Sequence, residues 1–333
     1  MRPTFAIIFF TVLSGAGYGL LFLTGLSLLY APTLISGFGE YAAAADLDAL
    51  AMRARFACEI ALAAGALLTI AGLLSSVGHL GKPLRAWRAF SQWRSSWLSR
   101  EGVASVLTFV PTFGLLAWML AGGDIRSPVA SLGALALSCL SALTVYCTAR
   151  IYSSLKPIRA WHDGHVVPGY FLFAFYTGVL WIAAFYTTPF ALSPLAIPVG
   201  PLYLFNAFVI APACAILKIL YWRSLEKPQK PGTGDATGLA RLGTVRVFEA
   251  PNTEENYLTH EMGFVLARKH AQRLRTIALA LIVLAPMSIY PLSFVFGDFA
   301  PWLVALLGML GVFVERWLFF AQARHAVIAY YGR

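Results

Sequence analysis

HLGKPLRAWRAFSQWRSSWLSRE, residues 79–101, joins two runs of sequence that are each long and apolar enough to cross a bilayer. It holds five cations, Lys82, Arg85, Arg88, Arg94 and Arg100, interleaved with Trp87, Trp93 and Trp97. Cations and indole rings are what the lipid–water boundary selects, because each combines an apolar body with a group that stays wet. The stretch opens on an imidazole, His79, and closes on a carboxylate, Glu101. It reads as a surface loop that returns the chain to the membrane, with a titratable group at each end.

The sequence on either side agrees. The chain has 333 residues, 59% hydrophobic and 12% charged, against about 25% charged in a soluble domain. The apolar residues fall in runs of roughly 20, the length that crosses about 30 Å of hydrocarbon as helix. Barrel strands would be half as long and would alternate apolar with polar, which these runs do not. The expected fold is therefore an all-α polytopic membrane protein. Eight transmembrane helices are expected, near 5–30, 56–78, 102–122, 130–151, 167–188, 199–221, 275–296 and 301–322. The first run, Phe5 to Tyr30, is too long for a signal-peptide core and reads as the first span.

The chain divides into 1–222, six spans with the basic loop 79–101, then 223–272, a soluble connection, then 273–333, two spans and a tail. One internal echo stands out. GKPLRAWR at 81–88 follows the second span and LKPIRAWH at 155–162 follows the fourth. Either stop signals and interfacial anchors coincide here, or the spans are related pairs that build two four-helix bundles. The soluble connection begins with the flexible KPQKPGTGDATG and is about fifty residues long, too short to bury a core alone. It is expected to dock on another surface, the membrane domain or a partner.

The net charge of +10 sits in the connections between spans, which points to topology and anionic membrane lipid and not to nucleic acid. The second, fourth and sixth connections, with the helix ends beside them, hold 18 of the 25 lysines and arginines, and Arg2, Arg324 and Arg333 bring that side to 21. The other side holds Arg53, Arg55 and Arg126. Cytoplasmic loops carry the cations, so both termini are expected in the cytoplasm of a bacterial inner membrane protein.

His79 and Glu101 return to one membrane depth on that side. A histidine there can hydrogen-bond a quinone oxygen and exchange its proton, and a carboxylate can relay the proton to water. Arg85, Trp87, Arg94 and Trp97 would line such a site. The alternative is that the two residues only complement helix dipoles, His79 at a C-terminus and Glu101 at an N-terminus. Three ionisable residues are picked out inside spans, Glu59, Glu315 and Arg316. Such residues are functional by default. Glu315 is the candidate for a proton path. Glu315 and Arg316, adjacent on a helix, should point about 100° apart towards different partners. Glu59 is expected to reach water.

A b-type haem needs histidines deep within facing spans, and none of His79, His162, His165, His260, His270 and His325 is so placed. Cys58, Cys139, Cys147 and Cys214 lie in apolar runs without CxxC spacing, as buried free thiols and not as an iron–sulfur or zinc framework. No haem, cluster or metal is expected in this chain, so its electron carriers belong to a partner.

These residues resemble a known family. HLGKPLRAWRAFSQWRSSWLSREG at 79–102, SLKPIRAWH at 154–162, NYLTHEMGFVLARKHA at 256–271 and ERWLFFAQARHAVIAYY at 315–331 look like the membrane anchor subunits of dimethyl sulfoxide reductase. The resemblance implies eight spans, no haem, a bound quinone (ubiquinone or menaquinone), an iron–sulfur electron-transfer subunit and a molybdopterin catalytic subunit. It places the quinone-site histidine and glutamate at His79 and Glu101. Those reductase anchors put their termini outside the cytoplasm, and the charge count here puts them inside. The family also includes anchors of cytoplasm-facing sulfite-oxidising complexes, in which electrons run from sulfite to quinone. That is the expected role, with a menaquinol-oxidising reductase anchor as the alternative. A transporter is the reading from a different class; it would show broken helices in repeated halves, for which Gly15-Ala16-Gly17, Pro286 and Pro291 are the hints.

The charge bias gives a direct test. A reporter fused after Arg333 is expected to report the cytoplasm; activity of a periplasm-only reporter there would reverse the orientation.

Overall fold

The computed structural model describes residues 4–38, 44–78, 82–187, 199–226, 233–246, 248–249, 270–323 and 325–326. Its long helices are α1 (Phe5–Phe38), α2 (Ala44–Val77), α3 (Trp97–Leu120), α4 (Pro128–Ser153), α5 (Val166–Thr187) and α6 (Val199–Glu226). A five-residue α7 (Thr233–Thr237) follows, then α8 (Ala271–Met287), α9 (Ile289–Phe296) and α10 (Ala300–Ala321). The described residues contain no strand, only an isolated antiparallel bridge between Ile158 and His325. The protein is an all-helical, multi-pass membrane protein.

Seven stretches among the described residues are long and apolar enough to cross a bilayer. Six correspond to the first six expected spans. The seventh is Ile289–Ala321, in which α9 runs into α10. The expected span at 275–296 is divided at Ser288, just after Pro286 in the last turn of α8. That leaves α8 with 17 residues, roughly 25 Å of helix, and α9 as the bend that lays α8 against α10.

Two rings of neighbours emerge: α1 on α2, α2 on α3, α3 on α4 and α4 on α1, then α5 on α6, α6 on α8, α8 on α10 and α10 on α5. They share one core, because α1 also packs on α5. Lipid tails are as apolar as leucine, so helices in a membrane associate by close packing, which small residues permit. At the α1–α5 crossing a β-carbon on Gly19 would lie 1.8 Å from the carbonyl oxygen of Ala174, and one on Gly178 would lie 2.5 Å from the backbone carbonyl carbon of Gly19. The same holds against α2, where a β-carbon on Gly17 would strike Thr69 and Gly65. The glycines of 15–19 therefore bring two backbones to α1 and do not break it: α1 runs unbroken from Phe5 to Phe38.

The two echoed motifs take opposite roles. Pro83–Phe90 forms a 3-10 helix with no buried residue, in which Trp87 is 66% exposed. In the second copy Ile158, Ala160 and Trp161 are buried. Trp161 donates its indole N–H to the carbonyl of Phe319 (3.2 Å), and Tyr221 donates to the carbonyl of Ala160 (2.9 Å). That connection ties α4 and α5 to the ends of α6 and α10. Three of the four cysteines are buried, as expected; Cys139 is exposed on α4.

Asp163 fastens this connection. Its carboxylate accepts from the His165 backbone N–H (2.9 Å) and the Ser224 hydroxyl (2.7 Å), and its Oδ1 lies 2.6 Å from His165 Nδ1. Burial raises its pKa, but these hydrogen bonds and the His165 charge outweigh that and hold it below the usual aspartate value. The stabilisation is therefore present above the unfolded-state pKa, about 3.9, and is lost as pH falls through the lower folded value. Asp163→Ala is expected to cost about 1.5–3 kcal/mol at neutral pH in thermal unfolding of the solubilised protein. The gap between variant and parent should close under strong acid; a gap that persists there would show that the carboxylate charge is not its source.

Candidate functional site

Glu101 sits one turn into α3, just below the basic loop, yet it is only 5% exposed. Its Oε1 lies 2.5 Å from the Thr148 hydroxyl on α4. That hydroxyl is also 3.0 Å from the Thr144 carbonyl. A threonine hydroxyl has one hydrogen and can also accept. It either donates to a Glu101 carboxylate, or accepts from a protonated Glu101 and donates to Thr144. One proton separates the two arrangements. On the backbone side, Tyr18 of α1 donates to Ser105 Oγ (2.9 Å), which donates to the Glu101 carbonyl (2.7 Å).

Tyr18 and Thr148 also line a cavity of about 20 Å³ between α1, α4, α5 and α10, together with Thr11, Ser14, Tyr170 and Arg316. It has room for a single water. Arg316 leads into the most heavily charged part of the interior. Its Nε lies 3.3 Å from Glu315 Oε2, and Lys218 Nζ lies 2.5 Å from Glu315 Oε1. All three side chains are buried, and the cations lie over aromatic faces, Lys218 over Tyr221 (3.9 Å) and Arg316 over Tyr170 (4.1 Å). The sequence separates Glu315 and Arg316 by the helical angle; in the structure the guanidinium folds back onto its neighbour's carboxylate, because a buried charge needs an opposite one.

Lys218 escapes the sequence reading, which groups it with the cations flanking the sixth connection. Its position within the apolar run 199–221 is the signal that marks it. Removing it from that side leaves the charge bias strong. Glu59 does not simply reach water: it pairs with Arg55 one turn earlier at 2.9 Å, and its side chain is 14% exposed.

The other expected site residues are not gathered around Glu101. Arg85 and Arg94 are exposed, and Trp87 stands out from the 3-10 helix. Trp97 lies between two guanidiniums, Arg100 at 4.3 Å and Arg150 at 5.1 Å, with Tyr146 edge-on. The loop nevertheless reaches the start of α3, where a β-carbon on Gly102 would lie 3.2 Å from the Phe90 ring. His79 lies outside the described residues. Among the described residues no group of histidine, cysteine and acidic side chains is arranged to hold a metal ion.

A bundle of apolar helices with charges paired inside it and a cationic, tryptophan-rich loop at one face defines a polytopic membrane protein with a buried polar interior. Residues 1–240 match the family model described as DMSO reductase anchor subunit (DmsC), so the chain belongs to the DMSO reductase anchor subunit family. It is 29% identical to a sulfite dehydrogenase subunit of Allochromatium vinosum over 99% of both proteins. It is 30% identical to the anaerobic dimethyl sulfoxide reductase chain YnfH of Escherichia coli, over 48% of this protein and 56% of that one. A further relative from the same organism, another anaerobic dimethyl sulfoxide reductase chain, is 30% identical over 40% of this protein and 46% of its own length. No solved structure matches.

The buried cluster predicts an order of damage. Glu315→Gln leaves Lys218 and Arg316 without their shared counter-charge and is expected to cost about 3–5 kcal/mol, read as loss of folded protein in the membrane. Lys218→Met leaves the Glu315–Arg316 pair and should cost less. Equal or reversed losses would show that the carboxylate is not what holds the cluster.

Proposed function

We propose that this protein is the quinone-reactive subunit of a molybdopterin oxidoreductase complex, passing electrons between a partner iron–sulfur subunit and the quinone pool. The observation that carries the reading is the burial of Glu101 against Thr148, beside a basic loop that opens on His79. The polar surroundings suit proton exchange with a quinone: Tyr18 and Ser105 form a hydroxyl chain to the Glu101 backbone, and the Thr148 hydroxyl can turn to serve the Glu101 carboxyl whether or not it holds a proton. A quinone takes up two electrons and two protons on reduction. In this reading His79 bonds a ring oxygen, and Glu101 carries protons between the ring and the aqueous side.

Sulfite oxidation with quinone reduction is the favoured direction. The end-to-end similarity to a sulfite dehydrogenase subunit supports it, as does the charge bias that puts both termini in the cytoplasm. An anchor of a menaquinol-oxidising dimethyl sulfoxide reductase is the second reading, supported by similarity over about half of each protein. A transporter finds less support: the helix does divide just after Pro286, but the Gly15–Gly17 stretch packs an unbroken helix and α1–α4 show no matching break. The topology goes with eight crossings in two four-helix rings, with α8 and its bend as the seventh.

The partners would dock on the cationic face. Apolar side chains stand out there without cover, Leu84 (94% exposed) and Trp87 on the loop, Leu242 and Phe248 (99%) in the soluble connection. The proposed domain division follows: 1–222 as the quinone-site membrane unit, 223–272 as the docking connection, 273–333 closing the second ring.

In the assembled complex, Glu101→Gln keeps the shape and removes the titrating group. It is expected to lower quinone turnover by about 10²–10⁴-fold and to change its pH dependence. His79→Ala should abolish quinone turnover. Turnover with a soluble electron acceptor, which bypasses the membrane, serves as the reference. Unchanged quinone-site inhibitor affinity and unchanged turnover in both variants would place the quinone elsewhere in the bundle.

A further inference from the structure

A groove of about 490 Å³ opens between the apolar helices α1, α4, α5 and α6, a size typical of small-molecule sites. Its walls are apolar, with Ala142, Phe171, Phe175 and Leu217 prominent, and Pro168 and Phe171 are exposed at its mouth. Only two lining side chains carry polar groups, Tyr18 and Ser141, and both are buried. Ser141 is 0% exposed, and its hydroxyl has no hydrogen-bond partner among the described residues. An unpaired hydroxyl buried in an apolar wall is costly unless something accepts its proton.

Tyr18, Val145 and Ala174 line both this groove and the small inner cavity beside Thr148. The groove therefore runs from exposed apolar residues at its mouth to a wall it shares with the cavity lined by Thr148, the partner of Glu101. Glu101 itself is buried, so a lipid-soluble substrate has to reach it from the bilayer through the bundle wall.

We propose that this groove is the entry and seat of the quinone, the isoprenoid tail lying along Phe171, Phe175 and Leu217 and the ring directed inward to the hydroxyls of Tyr18 and Ser141. The proposal rests on the quinone reading and adds to it the route, the tail-binding surface and a new ring donor, Ser141. The fit is chemical at both ends. A long flexible hydrocarbon tail matches an apolar groove open to lipid, and a ring carbonyl accepts from the free hydroxyl of Ser141. At the inner end the Tyr18 hydroxyl is one serine away from the Glu101 backbone. The ring is thereby delivered next to the group proposed to exchange its protons.

Filling the groove from either wall tests this. In the assembled complex, Ala142→Phe on α4 and Leu217→Phe on α6 are compared with the parent. Turnover is measured with decylubiquinone and with the same ring lacking the tail. The readout is the ratio of the two KM values, which isolates the tail. It is expected to rise about tenfold, the equivalent of roughly two buried methylene groups displaced. A decylubiquinone photoreactive at its tail end should label peptides of α5 or α6 in the unaltered complex, which decides the matter if neither variant assembles. An unchanged ratio in the assembled variants, or labelling confined to other helices, overturns the groove. So does loss of co-purified phospholipid with an unchanged ratio, which would make the groove a structural lipid site. In those cases a Glu101→Gln variant that still slows turnover with both quinones keeps the functional reading. An unaltered complex that turns over neither these ubiquinones nor the corresponding menaquinone pair defeats the functional reading itself.

Discussion

Glu315, held between Lys218 and Arg316, is the constraint on which the rest of the interior depends. An unpaired charge in a low-dielectric interior is expensive, and a paired one is tolerated only in good geometry. The carboxylate can meet Lys218 only if α6 and α10 keep their register, and Arg316 can meet the same carboxylate only if its guanidinium lies back over Tyr170 of α5. Three helices are thereby fixed by one acidic group. The aromatic residues around it, Tyr152, Trp161, Tyr170, Tyr221 and Phe319, exclude water and stack against one another. α1 then joins the second ring of helices through Gly19 and Gly178, where two backbones touch. Directional charge pairing sets one half, and close backbone packing attaches the other.

Much of the helical architecture is legible in the sequence, because span length and apolar composition are properties of single segments. Six of the expected spans need nothing else. The segment 275–296 misleads by the same criterion, since summed apolarity does not register that Pro286 and Ser288 divide α8 from α9. The echoed motifs show the limit more sharply. Trp87 and Trp161 stand in nearly the same local sequence, yet one is exposed and the other is packed under Phe319 and Phe320. What separates them is the presence of α6 and α10 over the second copy, and no local signal carries that.

The candidate site is legible by residue type and not by environment. Glu101 can be singled out as a carboxylate at the membrane boundary, but its burial depends on Thr148, 47 positions away on another helix. Tyr18, Ser105 and Ser141 carry no mark at all, since single hydroxyls within apolar runs are common and are usually bonded to their own helix backbone, as Thr24 and Thr177 are here. Lys218 is visible but easily misassigned, because a cation close to a helix end looks like a topology signal until its partner is seen.

The division between a bare cationic surface and a fully enclosed polar interior has a physical reason. A loop that must meet other proteins or the lipid headgroups needs exposed cations and rings, and Arg85, Trp87, Arg88, Trp93 and Arg94 are exposed. A carboxyl that trades single protons needs few competing waters, or its charge is screened and its proton goes to solvent. In the proposed reading, Glu101, buried one turn below the exposed loop, would meet both demands within a few residues of chain. The cost is that an apolar substrate cannot approach from the aqueous face, where the first groups it meets are charged. Among the described residues the buried ionisable side chains with formal charges are two cations, Lys218 and Arg316, and two carboxyl groups, Glu101 and Glu315. In the proposed reading, a proton taken up at Glu101 would offset the negative charge that an electron brings to a nearby quinone ring.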